Sequence, residues 1–294
     1  MNDSSINDST LGHINECTDQ DNVLSMIHLS AKILNILLGT PALVWCLWIS
    51  LSEGLSGGLK PTQVFPLNLF TVELVFCVEC LVEVIDYIVN SKNTMFRQLF
   101  YFLFIIAWTC RPLFQSCICV ERYMAVVQPV AFNKYKLKRY RVGTSTLIWG
   151  LTIMYACSTI DYQRYTTITA YLLVSVCCLG VVIISLCCFF ILRVLKQPGP
   201  GEVEGGRGGE KKQGTTDPQK TRAFRNILTN LVIIVVSSIS LVAGYVVFPF
   251  TSSDFYCKLF VMFFICTIFS VMASPLLHLY REGRLHCRKG PETH

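Results

Sequence analysis

Long apolar stretches separated by polar segments dominate the hydropathy pattern of the chain. Seven stretches reach the length of about 20 residues that a helix needs to cross a bilayer. They are residues 33–51, 65–89, 98–120, 142–160, 165–192, 226–253 and 259–280. Five of them contain no charged residue, whereas a helix of a soluble protein needs a polar face. The pattern predicts an all-α membrane protein with a seven-transmembrane helix bundle, and disfavours the alternative of a large soluble helical core.

The polar segments divide the chain into three parts. Residues 1–23 form an N-terminal tail, residues 24–282 the seven-helix domain, and residues 283–294 a C-terminal tail. Residues 196–220, between the fifth and sixth spans, are rich in Gly and Pro and carry charges of both signs. This composition predicts a disordered cytoplasmic loop.

The distribution of Lys and Arg predicts the orientation of the bundle. With the N-terminus outside, nineteen of the 25 basic residues fall on cytoplasmic segments, in agreement with the positive-inside rule. The N-terminal tail has five acids, no Lys or Arg, and N-glycosylation sequons at Asn2 and Asn7. We therefore expect a multi-pass plasma-membrane glycoprotein with an extracellular N-terminus. The net charge of +6 then lies near anionic membrane lipid and does not indicate nucleic-acid binding.

Most of the 15 cysteines lie inside predicted spans, where packing is the ordinary role of a thiol. Cys17, Cys157 and Cys257 fall at or beyond the outer face, where oxidation to disulfides occurs. A Cys17–Cys257 disulfide would join the N-terminal tail to the last extracellular loop. Whether it forms depends on the distance between the two residues, which the sequence does not give.

The third span ends in the triplet Glu121-Arg122-Tyr123. Together with the seven spans, this triplet resembles the rhodopsin-like (class A) G-protein-coupled receptors, and the resemblance covers nearly the whole chain. The first span and the Phe-x-Lys-Tyr-Lys loop are most similar to the branch of purinergic and protease-activated receptors. Further matches, in chain order, are Gly39 to Trp48, Asn68-Leu69 with Glu73, Trp149, and Ser274-Pro275 with His278.

The resemblance implies a signalling role for these residues. In the family, the acid of the triplet holds its Arg neighbour at rest, and the Arg turns to a heterotrimeric G protein in the active state. Val130, after Pro129, lies where the family places an apolar contact for the G protein, and Ser274, Pro275 and His278 lie at its activation switch. The start of the sixth span, residues 220–225, lacks the acid that restrains the Arg in many relatives. We therefore expect a loosely restrained resting state with basal signalling.

Several positions depart from the family pattern. Leu43 replaces an Asn, Arg97 stands where a Cys is usual, and His278 replaces a Tyr. These departures leave open a non-signalling seven-helix relative, such as a decoy or heteromer partner, and less favourably a transporter or channel. Motifs for an enzyme, a cofactor or a metal are not evident, so a receptor for an unknown extracellular ligand is the leading interpretation.

Charged residues inside spans are costly, by roughly 2.5–3.5 kcal/mol on insertion scales, and are therefore paired or functional. Glu73 in span two occupies the position of the family's sodium-binding carboxylate, and Arg111 in span three lies near the same depth. We predict an internal Glu73–Arg111 ion pair. The alternative is that Arg111 is solvated in a cavity or extends toward the interface.

Three acids occupy the outer half of the second span. At about 100° per residue, Glu79, Glu83 and Asp86 fall on one stripe of the helix. Like charges on one stripe repel each other, so the stripe is suited to binding a cation. We predict one wall of a ligand pocket for an amine or a basic peptide group. The alternative is a polar network with Arg97, Tyr87 or Tyr101.

Overall fold

The computed structural model describes residues 22–58, 61–89, 94–128, 130, 132, 138–159, 166–195 and 253–281. Several predicted features lie outside these residues. They are the glycosylation sites Asn2 and Asn7, Cys17, the loop 196–220, the sixth span up to residue 252 and the tail 283–294. The side chains of Cys257 and His278 also lie outside the description, so the Cys17–Cys257 disulfide stays a prediction.

Six long helices make up the described part of the chain. Helix α1 consists of Asn22–Leu34, a π-helical turn Asn35–Gly39, and Thr40–Gly57. The others are α2 (Val64–Val89, preceded by a 3₁₀ turn Pro61–Gln63), α3 (Thr94–Val127), α4 (Lys138–Ser158), α5 (Thr166–Leu195) and α6 (Ser253–Arg281).

These helices cover six of the seven predicted spans, with α6 corresponding to the seventh. The all-α architecture is thus confirmed for the described residues, whereas the count of seven helices is not. Three segments, Val23–Ser56, Thr94–Val127 and Leu172–Val194, are long and apolar enough to cross a membrane.

Helix α1 starts well before the apolar stretch that predicted it. The helix begins at Asn22, whereas the sequence placed the first span at residues 33–51. Its π turn accommodates the buried side chain of Asn35, whose Nδ2 lies 3.6 Å from the Sγ of Cys77 and 3.8 Å from that of Cys80. A Cβ at Gly39 would lie 2.7 Å from the Oδ1 of Asn35. Gly39 therefore leaves the space in which the Asn35 amide lies.

Helix α3 is the central element of the described bundle, because it packs against α2, α4 and α5. Its 34 residues include Pro112. The hydroxyl of Ser116 donates a hydrogen bond of 2.7 Å to the carbonyl of Pro112. Helix α5 approaches this turn closely at Gly180, where an added Cβ would lie 3.1 Å from the Cβ of Pro112. The absence of a side chain at Gly180 thus permits the close contact of α3 with α5.

Two apolar clusters fill the interior of the described part. One lies between α1, α2 and α6 and is built around Leu43, Phe76 and Phe264. The other lies between α2, α3 and α4 and is built around Val72, Phe114 and Ile148. Helix α2 contributes to both, so its polar side chains are placed in the middle of the bundle.

Gly180→Val should lower the apparent melting temperature of the purified protein in detergent. Overpacking of a well-packed core typically costs about 1–3 kcal/mol, and the new side chain would push α5 away from Pro112. Gly150→Val in α4 is the matched control, because a Cβ added there would meet nothing within 4 Å. Equal melting temperatures for the two variants would contradict the close α3–α5 contact.

Candidate functional site

Two of the family-like residues on different helices contact each other directly. The indole Nε1 of Trp149 on α4 donates a hydrogen bond of 2.8 Å to the Oδ1 of Asn68 on α2. The Nδ2 of Asn68 donates to the carbonyl of Val64 at 2.7 Å and to the Oγ of Ser145 at 3.4 Å. Asn68 and Trp149, which belong to two separate family-like motifs of the sequence, are therefore partners in one hydrogen-bonded contact between α2 and α4.

The Glu121-Arg122-Tyr123 triplet lies in the last two turns of α3. The carboxylate of Glu121 accepts a hydrogen bond of 3.0 Å from the Nη2 of Arg141 on α4, and the two side chains form an ion pair. Arg122 is exposed, and no ion pair or hydrogen bond of its guanidinium is present among the described residues. The direct hydrogen bond of Glu121 is therefore with Arg141 on the neighbouring helix, while the charge of Arg122 also acts on the same carboxylate. The pairing of Glu121 with Arg122 stays a prediction.

Beyond the end of α3, Phe132 contacts a residue of α4. The backbone N–H of Phe132 donates to the carbonyl of Gln128 at 2.9 Å. The ring of Phe132 lies 5.8 Å from the guanidinium carbon of Arg141, a cation–π contact. Val130 is 79% exposed, as an apolar docking contact requires. Tyr123 faces α5, with its ring 5.9 Å from that of Phe190. Arg122 and Val130 are therefore accessible at this end of the bundle.

Glu73 and Arg111 are both buried in the middle of the bundle. The Nη2 of Arg111 donates a hydrogen bond of 2.9 Å to the Oγ of Ser270 on α6. The charges of Glu73 and Arg111 are close enough to interact, but no ion pair within 4.0 Å joins them in the described residues. The direct contact of Arg111 is thus with Ser270, a link between α3 and α6. The direct Glu73–Arg111 pair stays a prediction.

The Ser274-Pro275 motif lies on the face of α6 that contacts α1 and α2. The thiol of Cys46 on α1 lies 3.5 Å from the carbonyl oxygen of Pro275. Ser274 lies close to the carboxylate of Glu73 on α2. The motif therefore lies next to the buried acid of α2.

A buried ion pair that the sequence did not predict joins α1 to α2. Lys32 is 1% exposed, and its ammonium contacts the Oε2 of Glu83. His28, one turn earlier on α1, has its Nδ1 4.0 Å from the Oε1 of Glu83. Because α1 extends outward past residue 33, Lys32 lies inside the helix bundle.

Helix α6 closes this cluster with an aromatic ring. The Nζ of Lys32 lies 4.7 Å from the ring centroid of Phe264, and the ring of His28 lies 4.5 Å from it in an edge-to-face arrangement. Glu79, one turn inward from Glu83, is 1% exposed, and its Oε1 has no hydrogen-bond partner among the described residues. We call His28, Lys32, Glu79, Glu83 and Phe264 the outer charged cluster.

The predicted acidic stripe is therefore only partly an open pocket wall. Glu83 is partly exposed but paired with Lys32, Glu79 is enclosed, and the partly buried Asp86 has one carboxylate oxygen without a hydrogen-bond partner in the described part. The spacing of the charged residues in the sequence is compatible with the contact between Lys32 and Glu83. His28 and Lys32 are four residues apart on one helix, as are Glu79 and Glu83 on the other, so each pair lies on one face.

Lys32→Met should reduce surface expression, because it leaves a carboxylate without its partner in a partly buried position. Removing one member of a buried pair costs more than replacing both with apolar residues. Lys32→Met combined with Glu83→Met should therefore recover expression and melting temperature, with a coupling of about 1–3 kcal/mol. Lys138→Met, at an exposed position of α4, is the control. A double variant no better than Lys32→Met would show that the ion pair does not stabilise the bundle.

Similarity to known proteins is limited. No family model matches the chain. Proteinase-activated receptor 3 of Rattus norvegicus is 25% identical over 154 residues, which are 51% of this chain and 39% of that protein. Proteinase-activated receptor 3 of Homo sapiens is 28% identical over 127 residues, which are 42% of this chain and 33% of that protein.

The matches span less than half of the length of either relative. Both relatives are named as proteinase-activated receptors. The weak, partial similarity and the membrane-capable helices together point to a relationship with G-protein-coupled receptors.

Proposed function

We propose that the protein is a seven-helix receptor of the plasma membrane that transmits an extracellular ligand signal to heterotrimeric G proteins. The observation that carries the proposal is the exposed Arg122 at the end of α3, inside the Glu121-Arg122-Tyr123 triplet. The weak similarity to proteinase-activated receptor 3 supports the same class. The positive-inside distribution assigns this end of α3 to the cytoplasm.

The cytoplasmic contact surface of the proposed receptor consists of a cation and an apolar side chain. Arg122 offers five N–H donors to carbonyl or carboxylate oxygens of the G protein. The exposed Val130 offers an apolar contact beside it. Activation in this proposal is a population shift toward a form that opens the cleft next to Arg122.

The proposed ligand site is the outer charged cluster and its acidic neighbours. Glu79, Glu83 and Asp86 provide three carboxylates, whereas Lys32 supplies one ammonium. The excess of negative charge favours a ligand with a cationic group. Such a group competes with Lys32 for Glu83, so its binding would loosen the contact of α1 with α2.

Arg122→Ala should abolish basal G-protein activation by the unliganded receptor. The measurement is the rate of nucleotide exchange on G proteins of each main class, with receptor in lipid nanodiscs at matched amounts. Removal of one docking arginine should lower the rate at least about tenfold, since truncating an interface hot spot costs about 2 kcal/mol or more. Arg139→Ala, at an exposed position of α4, is the control for lost positive charge. Exchange no faster than in empty nanodiscs, for folded wild-type receptor, would favour the non-signalling relative.

Glu83→Gln should weaken activation by cationic agonists. The probes are a panel of primary amines and of peptides containing Lys or Arg. The agonist concentration for half-maximal response should rise about tenfold, the equivalent of roughly 1.4 kcal/mol. Glu53→Gln, near the opposite end of α1, is the control. Unchanged potency in Glu83→Gln would remove this acid from the ligand site.

A further inference from the structure

Arg141 is the basic residue that contacts the acid of the α3 triplet. Its guanidinium is nearly fully buried, with the Nη2 3.0 Å from Glu121, whereas Arg122 next to Glu121 is exposed. Two cations therefore compete for one carboxylate, and the cation on the neighbouring helix has the direct contact. The choice of partner by Glu121 determines which charged groups remain accessible at the cytoplasmic end of α3.

Three features favour Arg141 over Arg122 as the partner of Glu121. A charge-assisted hydrogen bond between partly buried groups is stronger than an exposed contact. Successive residues on a helix point about 100° apart, so Arg122 approaches Glu121 less directly than a residue of the facing helix does. Arg141 is also held from a second side by the ring of Phe132. The geometry thus gives the direct contact of Glu121 to Arg141, while Arg122 remains a second cation that acts on the same carboxylate.

We propose that Arg141 is a positioning residue that keeps Glu121 away from Arg122, and so leaves the Arg122 guanidinium available to a G protein in the unliganded receptor. This role rests on the proposed receptor function and concerns the regulation of the same site. It replaces the restraint that the sequence implied, in which Glu121 holds Arg122 at rest. Because Phe132 contacts Arg141, the same residue also fixes the segment that carries Val130.

The two single variants that break this ion pair should differ in their effect on basal G-protein activation. In Arg141→Gln, Glu121 loses its partner and its nearest remaining cation is Arg122, so Arg122 becomes engaged and basal activity falls. In Glu121→Gln the acid is lost, Arg122 stays available and basal activity does not fall. In the double variant Glu121→Gln with Arg141→Gln no acid remains to engage Arg122, so the activity lost in Arg141→Gln returns.

Basal nucleotide exchange in nanodiscs provides the first test, with the full chain and each main class of G protein. Arg141→Gln should lower the rate about threefold, the effect expected from the loss of one ion pair. The double variant should return to within error of the Glu121→Gln rate. Arg139→Gln, two residues earlier on α4 and exposed, should match wild type. A double variant as slow as Arg141→Gln, or an unchanged rate in Arg141→Gln, would overturn the inference and assign Arg141 a purely structural role.

A chemical measurement tests the role of Arg141 without any G protein. Phenylglyoxal modifies guanidinium groups, and peptide mass spectrometry gives the modification rate of each arginine. Arg122 should react about threefold more slowly in Arg141→Gln than in wild type, relative to the exposed Arg139 in the same sample. The double variant should restore the rate. If wild-type receptor activates no G protein but this difference is present, the receptor function fails while the role of Arg141 stands. Equal Arg122 rates in wild type and Arg141→Gln would refute the role of Arg141.

Discussion

The structure depends on one constraint: polar groups inside an apolar helix bundle have only one another as hydrogen-bond partners, because the surrounding hydrocarbon offers none. The polar contacts between helices satisfy this constraint in specific ways. Trp149 and Asn68 join α4 to α2, Arg111 and Ser270 join α3 to α6, and Arg141 and Glu121 join α4 to α3. The polar residues therefore determine which helices face each other, whereas the apolar residues supply most of the packing area.

This constraint also explains what could be predicted well from the sequence. Hydropathy is a local property, and the apolar stretches located α2, α3, α4, α5 and α6 to within a few residues of their observed starts or ends. The resemblance to the receptor family likewise marked Asn68 and Trp149 as positions of interest. The contact between them, however, required the packing of two helices.

The choice of ion-pair partners could not be predicted from the sequence, for a physical reason. Glu121 has one cation beside it in sequence and another twenty residues later, and only the orientation of α4 on α3 determines which of them it contacts. The burial of Lys32, which directly precedes the first apolar stretch, could not be read from the hydropathy pattern either. A buried lysine is tolerated there because Glu83 and the ring of Phe264 replace its hydration. Apart from Gly39, the sequence contains no feature that indicates the π turn at Asn35.

The polar contacts are connected through α6 and α3. Lys32 contacts Phe264 near the outer end of α6, Ser270 of the same helix accepts a hydrogen bond from Arg111, and α3 then continues to Glu121. Contiguity alone does not transmit a signal, since coupling requires an element with two discrete arrangements. In the proposed receptor Glu121 is such an element, because Arg141 contacts its carboxylate and the charge of Arg122 acts on it as well. A small rotation of α3 against α4 would change its partner, and with that partner the availability of Arg122. In the proposed receptor, a change at the outer charged cluster would thus reach Arg122 without a large movement of any helix.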